Sequence, residues 1–169
     1  MSKELKYLVI HTTDTPYDRE ITPEMIRQWH LSPVSKGGRG WKQVGYSDLI
    51  QRSGKLVNLV PYNKDNKVDQ WEVTNGVAGM NSVCRHVVLA GGWSKDGKVK
   101  NGQHTVNGKS TYYKIDELYT EEQIKTLTEY VKNQLKLVPT LKVVGHNDLA
   151  AKTCPNFKVE EFLKEYVYK

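Results

Sequence analysis

Short runs of apolar, often β-branched residues alternate along the chain with longer stretches in which apolar residues recur every three or four positions. The short runs predict buried strands, because such residues suit a pleated sheet packed on both faces. They cover residues 6–11, 41–50, 56–60, 83–89 and 141–144. A turn at residues 51–55 predicts that the second and third of these strands form a hairpin.

Three stretches with helical spacing predict helices. The first begins at Thr22-Pro23-Glu24, which offers a capping hydroxyl, a proline in the first turn and an acid near the positive end of the helix dipole. The second begins with a capping box at residues 120–123 and ends before Pro139. Its apolar positions are Ile124, Leu127, Val131, Leu135 and Val138. The third is a final amphipathic helix marked by Val159, Phe162, Leu163 and Tyr166.

The order strand, helix, hairpin, strand, helix, strand, helix predicts an α/β fold with a central mixed β-sheet flanked by helices on its faces. The chain of 169 residues is expected to form a single domain over residues 1–169, which is long enough to bury a core. Residues 62–79 are expected to be irregular. Residues 95–114, rich in glycine, lysine, asparagine and serine, are expected to form a surface loop or mobile flap.

Two predicted strands lead directly into a histidine. Residues 7–10 run into His11, and residues 141–144 lead through a glycine into a predicted loop that contains His146 and Cys154. Ligands of such sheets bind outside the strand ends, and imidazole and thiolate are zinc ligands. We therefore predict that His11, His146 and Cys154 hold one zinc ion, with water in the fourth position. Three protein ligands and one open position are typical of hydrolytic rather than structural zinc.

Each of these residues also has an ordinary interpretation. A histidine after a strand is most often a surface or capping residue, and a lone cysteine is most often a small buried residue. Only the joint pattern favours a metal. Among the remaining candidates, His30 is expected to pack near a helix end, His104 is a weak ligand candidate, and Cys84 lies inside a strand without a companion ligand.

Two further side chains have chemistry that suits such a site. Lys152 lies two residues before Cys154, so its ammonium group is expected to reach an oxyanion formed at the metal. A solvated surface lysine is the alternative. Tyr46 can donate or relay a proton through its hydroxyl, although packing is the commoner role of a tyrosine.

The chain is basic, with a net charge of +6 and a pI of about 9.2, which favours anionic partners. The positive charge is spread along the sequence and not gathered into one basic helix, so nucleic acid is not expected as a partner. No apolar run is long enough to span a membrane, and the N-terminus lacks the apolar core of a secretory signal. We therefore expect synthesis in the cytoplasm, where a disulfide between the two cysteines is not favoured.

Motifs along the whole chain resemble the zinc-dependent N-acetylmuramoyl-L-alanine amidases of type 2, a superfamily shared with peptidoglycan recognition proteins and amidase-type phage lysozymes. The most specific piece is Gly145-His146-Asn147-Asp148 followed by Lys152-Thr153-Cys154-Pro155. The other matching segments are Val9-Ile10-His11-Thr12-Thr13, Ile26-Arg27-Gln28-Trp29-His30, Gly40-Trp41, Val44-Gly45-Tyr46, Gly79-Met80-Asn81-Ser82 and Tyr119-Thr120-Glu121-Glu122-Gln123.

The resemblance implies zinc ligation by His11, His146 and Cys154 and accessory catalytic roles for Tyr46 and Lys152. It implies cleavage of the amide between the lactyl group of N-acetylmuramic acid and the L-alanine of the stem peptide. Together with the absence of a signal, it implies a phage or prophage endolysin, a monomer that another protein releases to the cell wall.

Alternatives within the resemblance are a non-catalytic peptidoglycan-binding module, a cytoplasmic amidase that recycles muropeptides, and a regulatory protein partner as in some phage relatives. The chain departs from the family at two positions where a histidine is frequent, at Ser47 and near Ala78. We expect these differences to affect contacts with substrate and not the metal.

Overall fold

The computed structural model describes residues 2–97 and 112–169, together with the backbone of residues 105–106 and 109–110. The strands are β1 (Lys3–Glu4), β2 (Tyr7–Thr12), β3 (Asp48–Ile50), β4 (Leu56–Asn58), β5 (Lys67–Val68), β6 (Cys84–Leu89), β7 (Thr105–Val106), β8 (Lys109–Ser110) and β9 (Lys142–Gly145). The α-helices are α1 (Pro23–Leu31), α2 (Ile115–Leu118), α3 (Glu121–Leu137), α4 (His146–Leu149) and α5 (Val159–Phe162). Single 3₁₀ turns lie at Val34–Lys36, Gln70–Glu72 and Asn81–Val83, and a π-helical turn lies at Leu163–Val167.

Five strands form the central sheet in the order β4-β3-β6-β2-β9. The strand β2 lies parallel to both β6 and β9, β3 lies parallel to β6, and β4 pairs with β3 in an antiparallel hairpin. Two smaller antiparallel pairs, β1 with β5 and β7 with β8, lie outside this sheet. The mixed α/β sheet predicted from the sequence is therefore confirmed.

The central strand β2 separates two apolar regions of the core. Leu8 and Ile10 belong to the larger apolar cluster, which also includes residues of α2, α3 and α5. Val9 belongs to a second cluster on the other face, and His11 follows it at the two-residue spacing of a strand. His11 is only 1% exposed. The alternation therefore brings this histidine to the face opposite α3.

The prediction of a strand over residues 41–50 is correct only for Asp48–Ile50. Before Asp48, the backbone forms hydrogen bonds with other parts of the structure. The Trp41 amide donates to the His30 carbonyl, and the Asn75 amide donates to the Val44 carbonyl. These hydrogen bonds hold residues 41–45 against the end of α1 and a neighbouring loop. The segment therefore cannot join the sheet ladder.

Two other predictions need correction. Residues 62–79 are not wholly irregular, because they contain β5 and a 3₁₀ turn. His146 does not lie in a loop after the last strand but begins the single helical turn α4, where the Gly145 amide donates to Asp148 Oδ2 at 2.8 Å. The final helix forms as predicted but ends in a π-helical turn.

Most of the predicted loop at residues 95–114, including His104, lies outside the described residues, although the short pair β7–β8 falls within it. Both cysteines are free, with Cys84 buried in β6. Within the described part of the chain, no helix combines the length and apolar character needed to cross a membrane.

We predict that Thr120→Ala lowers the free energy of unfolding by about 0.5–2 kcal/mol, the usual cost of losing a helix cap. The Thr120 hydroxyl accepts a hydrogen bond from the Gln123 amide at 3.1 Å and donates to the Arg52 carbonyl at 2.7 Å. Urea unfolding measures the change. Thr120→Ser is the matched control and should stay close to the unsubstituted protein, because it keeps the hydroxyl. Equal losses in both variants would show that the cap is not the cause.

Candidate metal centre

A cleft of about 600 Å³ opens at the carboxyl ends of β2 and β9, within the size range of small-molecule sites. It is the place where ligands of parallel sheets are expected. All five site residues predicted from the sequence line it: His11, Tyr46, His146, Lys152 and Cys154. The fold therefore brings residues from near both ends of the sequence into one cleft.

The three predicted ligands lie together in this cleft. Their donor atoms all lie within 4.8 Å of one another, and within residues 2–97 and 112–169 they form the only such cluster of three or more histidine, cysteine or acidic side chains. His11 Nδ1 lies 3.8 Å from Cys154 Sγ, and the ring centroids of His11 and His146 are 4.9 Å apart. Two imidazoles and one thiol in this arrangement are a donor set that fits zinc.

The parallel register of β2 brings the two histidines to the same edge of the sheet. Ile10 pairs with Gly145 in β9, so the next residues lie side by side: His11 near the end of β2 and His146 directly after β9. On the other side of β2, His11 pairs with Val88 in β6. The backbone geometry therefore fixes the spacing of the histidines.

Asn147 holds the segment that contains Cys154. Its backbone amide donates to the Cys154 carbonyl at 2.8 Å, and its side-chain amide donates to the carbonyls of Thr153 and Phe157 at 3.3 and 3.0 Å. Because Asn147 directly follows His146, these bonds fix the cysteine relative to that histidine. The thiol also accepts a hydrogen bond from the Thr12 amide, at 3.2 Å, which ties it to β2.

Burial keeps the imidazoles neutral. It is the largest cause of the lowered pKa of His11, with further contributions from His86 and His146. The pKa of His146 is lowered by burial and by the positive charge of Lys152. Neutral imidazole is the form that binds a metal. Burial also raises the pKa of Cys154 to about 12, so the thiol carries its proton at pH 7 when no metal is bound.

Tyr46 lies beside the ligand cluster, with its ring centroid 5.1 Å from that of His11. Burial, and then the neighbouring Cys154, raise the pKa of its hydroxyl, which therefore stays protonated. The preceding Gly45 donates its amide to His30 Nδ1 at 3.0 Å. His30 thus packs near the end of its helix as expected, and it also lines the cleft. Burial lowers its pKa to about 4.

Lys152 is exposed on the wall of the cleft. Two other cations, Arg39 and Lys42, line the same cleft, and none of the described residues that line it carries a carboxylate. The Arg39 guanidinium stacks over the Trp41 ring at 5.0 Å from the centroid. The cleft wall is therefore both basic and aromatic. Of the two departures from the family, Ala78 lines the cleft, whereas Ser47 is buried and is not part of its lining.

His86 lies next to a predicted ligand but is not among the residues predicted from the sequence; its Nδ1 lies 2.9 Å from His11 Nε2. Burial lowers its pKa to about 3, so this ring is neutral as well. One signal was present: His86 lies two residues from Cys84 and from Val88, on the face of the strand that His11 also occupies, and apart from Arg85 the other residues of that strand are apolar. Its contact with His11 depends on strand pairing and cannot be read from the sequence.

A larger cavity, of about 770 Å³, lies between α3 and the β3–β4 hairpin on another part of the surface. Among the described residues that line it, none is a histidine or a cysteine. The candidate metal ligands described above therefore lie in the smaller cleft.

Residues 1–157 match the family described as N-acetylmuramoyl-L-alanine amidase. The endolysin of Enterobacteria phage K11 is 25% identical over 162 residues, which cover 96% of this chain and 87% of the relative. The endolysin of Escherichia phage T7 is 23% identical over 155 residues, which cover 92% of this chain and 83% of the relative.

Two solved structures illustrate the shared fold. The Ph2119 endolysin from Thermus scotoductus MAT2119 bacteriophage Ph2119 has a TM-score of 0.66 and 23% identity, covering 98% of this chain and 86% of that chain. Drosophila PGRP-LB has a TM-score of 0.61 and 16% identity, covering 98% of this chain and 85% of that chain. These similarities confirm the predicted fold, and the family match extends over nearly the whole sequence. The chain therefore belongs to the N-acetylmuramoyl-L-alanine amidase family.

Proposed function

We propose that this chain is a zinc-dependent peptidoglycan hydrolase that cleaves the amide between the lactyl group of N-acetylmuramic acid and the L-alanine of the stem peptide. The observation that carries the proposal is the convergence of His11, His146 and Cys154 in a cleft of an amidase-family fold. Similarity to phage endolysins supports a role in lysis of a bacterial cell wall. Release to the wall by another protein is part of the same proposal.

The donor set fits zinc in charge as well as in geometry. Two neutral imidazoles and one thiolate leave a bound divalent ion with a net positive charge, and the cluster provides three ligands and not the four of a closed structural site. Bound zinc would act as a Lewis acid on a carbonyl and lower the pKa of a water molecule to about 7.

The neighbouring side chains can stabilise the charge that develops on the amide oxygen. Lys152 brings an exposed ammonium group to the cleft wall. Tyr46 keeps its proton because its pKa is raised, so its hydroxyl can donate a hydrogen bond to a carbonyl oxygen and is a poor general base. We propose that both residues favour the transition state over the bound substrate.

The wall of the cleft suits an anionic peptide. Arg39, Lys42 and Lys152 provide three cations, the described part of the lining contains no carboxylate, and Trp41 adds an aromatic surface. Free carboxylates of a stem peptide would pair with such cations. The net charge of +6 would favour association with an anionic wall.

Incubation of the purified protein with peptidoglycan, with and without a zinc chelator, tests the proposal. Release of new L-alanine amino termini that the chelator abolishes and added zinc restores is the expected result. Binding without release would identify a non-catalytic binding module. Activity confined to small soluble muropeptides would identify a recycling enzyme.

We predict that zinc binding near pH 7 releases at least one proton per ion, because a thiol with a pKa of about 12 must become a thiolate, whereas imidazoles whose pKa values are lowered are already neutral there. Since the thiol is protonated throughout the range below that pKa, zinc affinity should rise about tenfold per pH unit near neutrality. Calorimetry in buffers with different ionisation enthalpies measures the released protons.

Cys154→Ser is the matched variant for this experiment. It should lose tight zinc binding and amide hydrolysis together, since a serine hydroxyl is a much poorer zinc ligand than a thiolate. Tight zinc binding by this variant, with or without proton release, would exclude Cys154 as a ligand.

We predict that Lys152→Ala lowers kcat by about 10²–10³, or about 2.7–4 kcal/mol, as for the loss of an oxyanion donor. Its zinc content should stay at one ion per chain, because the lysine is not a ligand. Lys125→Ala removes an exposed lysine from α3, outside the cleft, and is the control expected to keep full activity. An unchanged kcat in the Lys152 variant would remove this residue from the mechanism.

A further inference from the structure

His86 is fully buried on the cleft face of β6 and touches a predicted ligand without lining the cleft itself. Its Nδ1 lies 2.9 Å from His11 Nε2. On the other side of the ring, its Nε2 lies 2.9 Å from Asn81 Oδ1. Both ring nitrogens of a buried imidazole are therefore paired, and the ring connects His11 to Asn81.

The donor and the acceptor of each of these hydrogen bonds can be assigned by starting from Asn81. Asn81 Oδ1 accepts the Val77 amide at 2.8 Å, which identifies this atom as the amide oxygen. An oxygen of this kind can only accept, so His86 Nε2 carries the proton that it shares with Asn81.

The same reasoning extends to His11. A neutral imidazole has one N–H, so Nδ1 of His86 has a lone pair and accepts a hydrogen bond from His11 Nε2. The proton of His11 is then on Nε2, and its Nδ1 has the free lone pair. That atom is the one that faces Cys154 Sγ, at 3.8 Å.

We infer that His86 is a positioning residue that, held by Asn81, fixes the tautomer and the ring orientation of His11 for metal binding. This inference rests on the proposed zinc site. His86 acts through His11 and does not contact the ion or the substrate. Partners of this kind typically change metal affinity by about 10–100-fold when they are removed.

A role in packing alone does not account for the arrangement. Its neighbours on the same face of β6, Cys84 and Val88, are buried in apolar clusters. A buried imidazole is unfavourable unless both its nitrogens are paired. Gly76 approaches so closely that a Cβ there would lie 2.4 Å from His86 Nδ1, so the ring has little freedom to turn. His86 therefore serves to orient the His11 ring and not merely to fill space in the core.

The test compares His86→Leu with His86→Asn, which have the same side-chain branching but differ in hydrogen bonding. An asparagine oxygen can take the place of Nδ1 and accept from His11, whereas leucine cannot. Competition with a chromophoric chelator measures zinc affinity, and urea unfolding of the metal-free proteins checks the fold. We expect about 10–100-fold weaker zinc binding for His86→Leu and a smaller loss for His86→Asn.

Several outcomes overturn the inference. Unchanged zinc affinity in His86→Leu would do so while leaving the proposed function intact, and equal losses in the two variants would reduce His86 to a packing residue. Absence of zinc binding by the unsubstituted protein would overturn the proposed function as well.

A second measurement needs no substitution. In the unsubstituted zinc-loaded protein labelled with ¹⁵N, the inference requires a coupling across the hydrogen bond between His11 Nε2 and His86 Nδ1, with the proton on His11. Absence of the coupling, or a proton on His11 Nδ1, would refute it even where the variants do not fold.

Discussion

The candidate site depends on the parallel pairing of β2 with β6 on one side and with β9 on the other. This register sets His11 level with Val88 and one residue beyond the Ile10–Gly145 pair, so two histidines from opposite ends of the chain emerge at one edge. A slip of one residue would turn His11 towards the apolar face that packs on α3. The burial of Leu8 and Ile10 on that face opposes such a slip. The hydrophobic core thereby determines where the ligands point.

The interior of the cleft carries little charge before any ligand binds. Burial lowers the pKa of His11 and raises those of Tyr46 and Cys154, so all three groups are neutral at pH 7. Permanent positive charge lies on the cleft wall, where Lys152 is exposed to solvent. Side chains that could ligate a metal therefore lie inside the cleft, and basic groups lie on its wall. This separation suits a centre that binds a cation and then an anionic polymer.

Low sequence identity and strong structural similarity coexist in this family. Identity to the Thermus phage endolysin is 23%, yet the TM-score is 0.66. The sheet register and the core tolerate many apolar exchanges, because volume and pattern matter more there than identity. The three proposed ligands would have no such freedom, because zinc binding requires particular donor atoms. Fold and function are therefore constrained by different residues in the same strands.

The sequence alone determined the elements with strong local signals: the apolar strands, the capped helix α3, and the histidines at the carboxyl ends of β2 and β9. These features depend on residues close together in the chain. Only the tertiary structure decided that residues 41–45 bond to α1, that Asn147 fixes Cys154, and that His86 meets His11 across 75 positions of sequence. Such contacts arise when separate strands pair and loops close over them. No local pattern encodes them, because their partners become neighbours only in the folded chain.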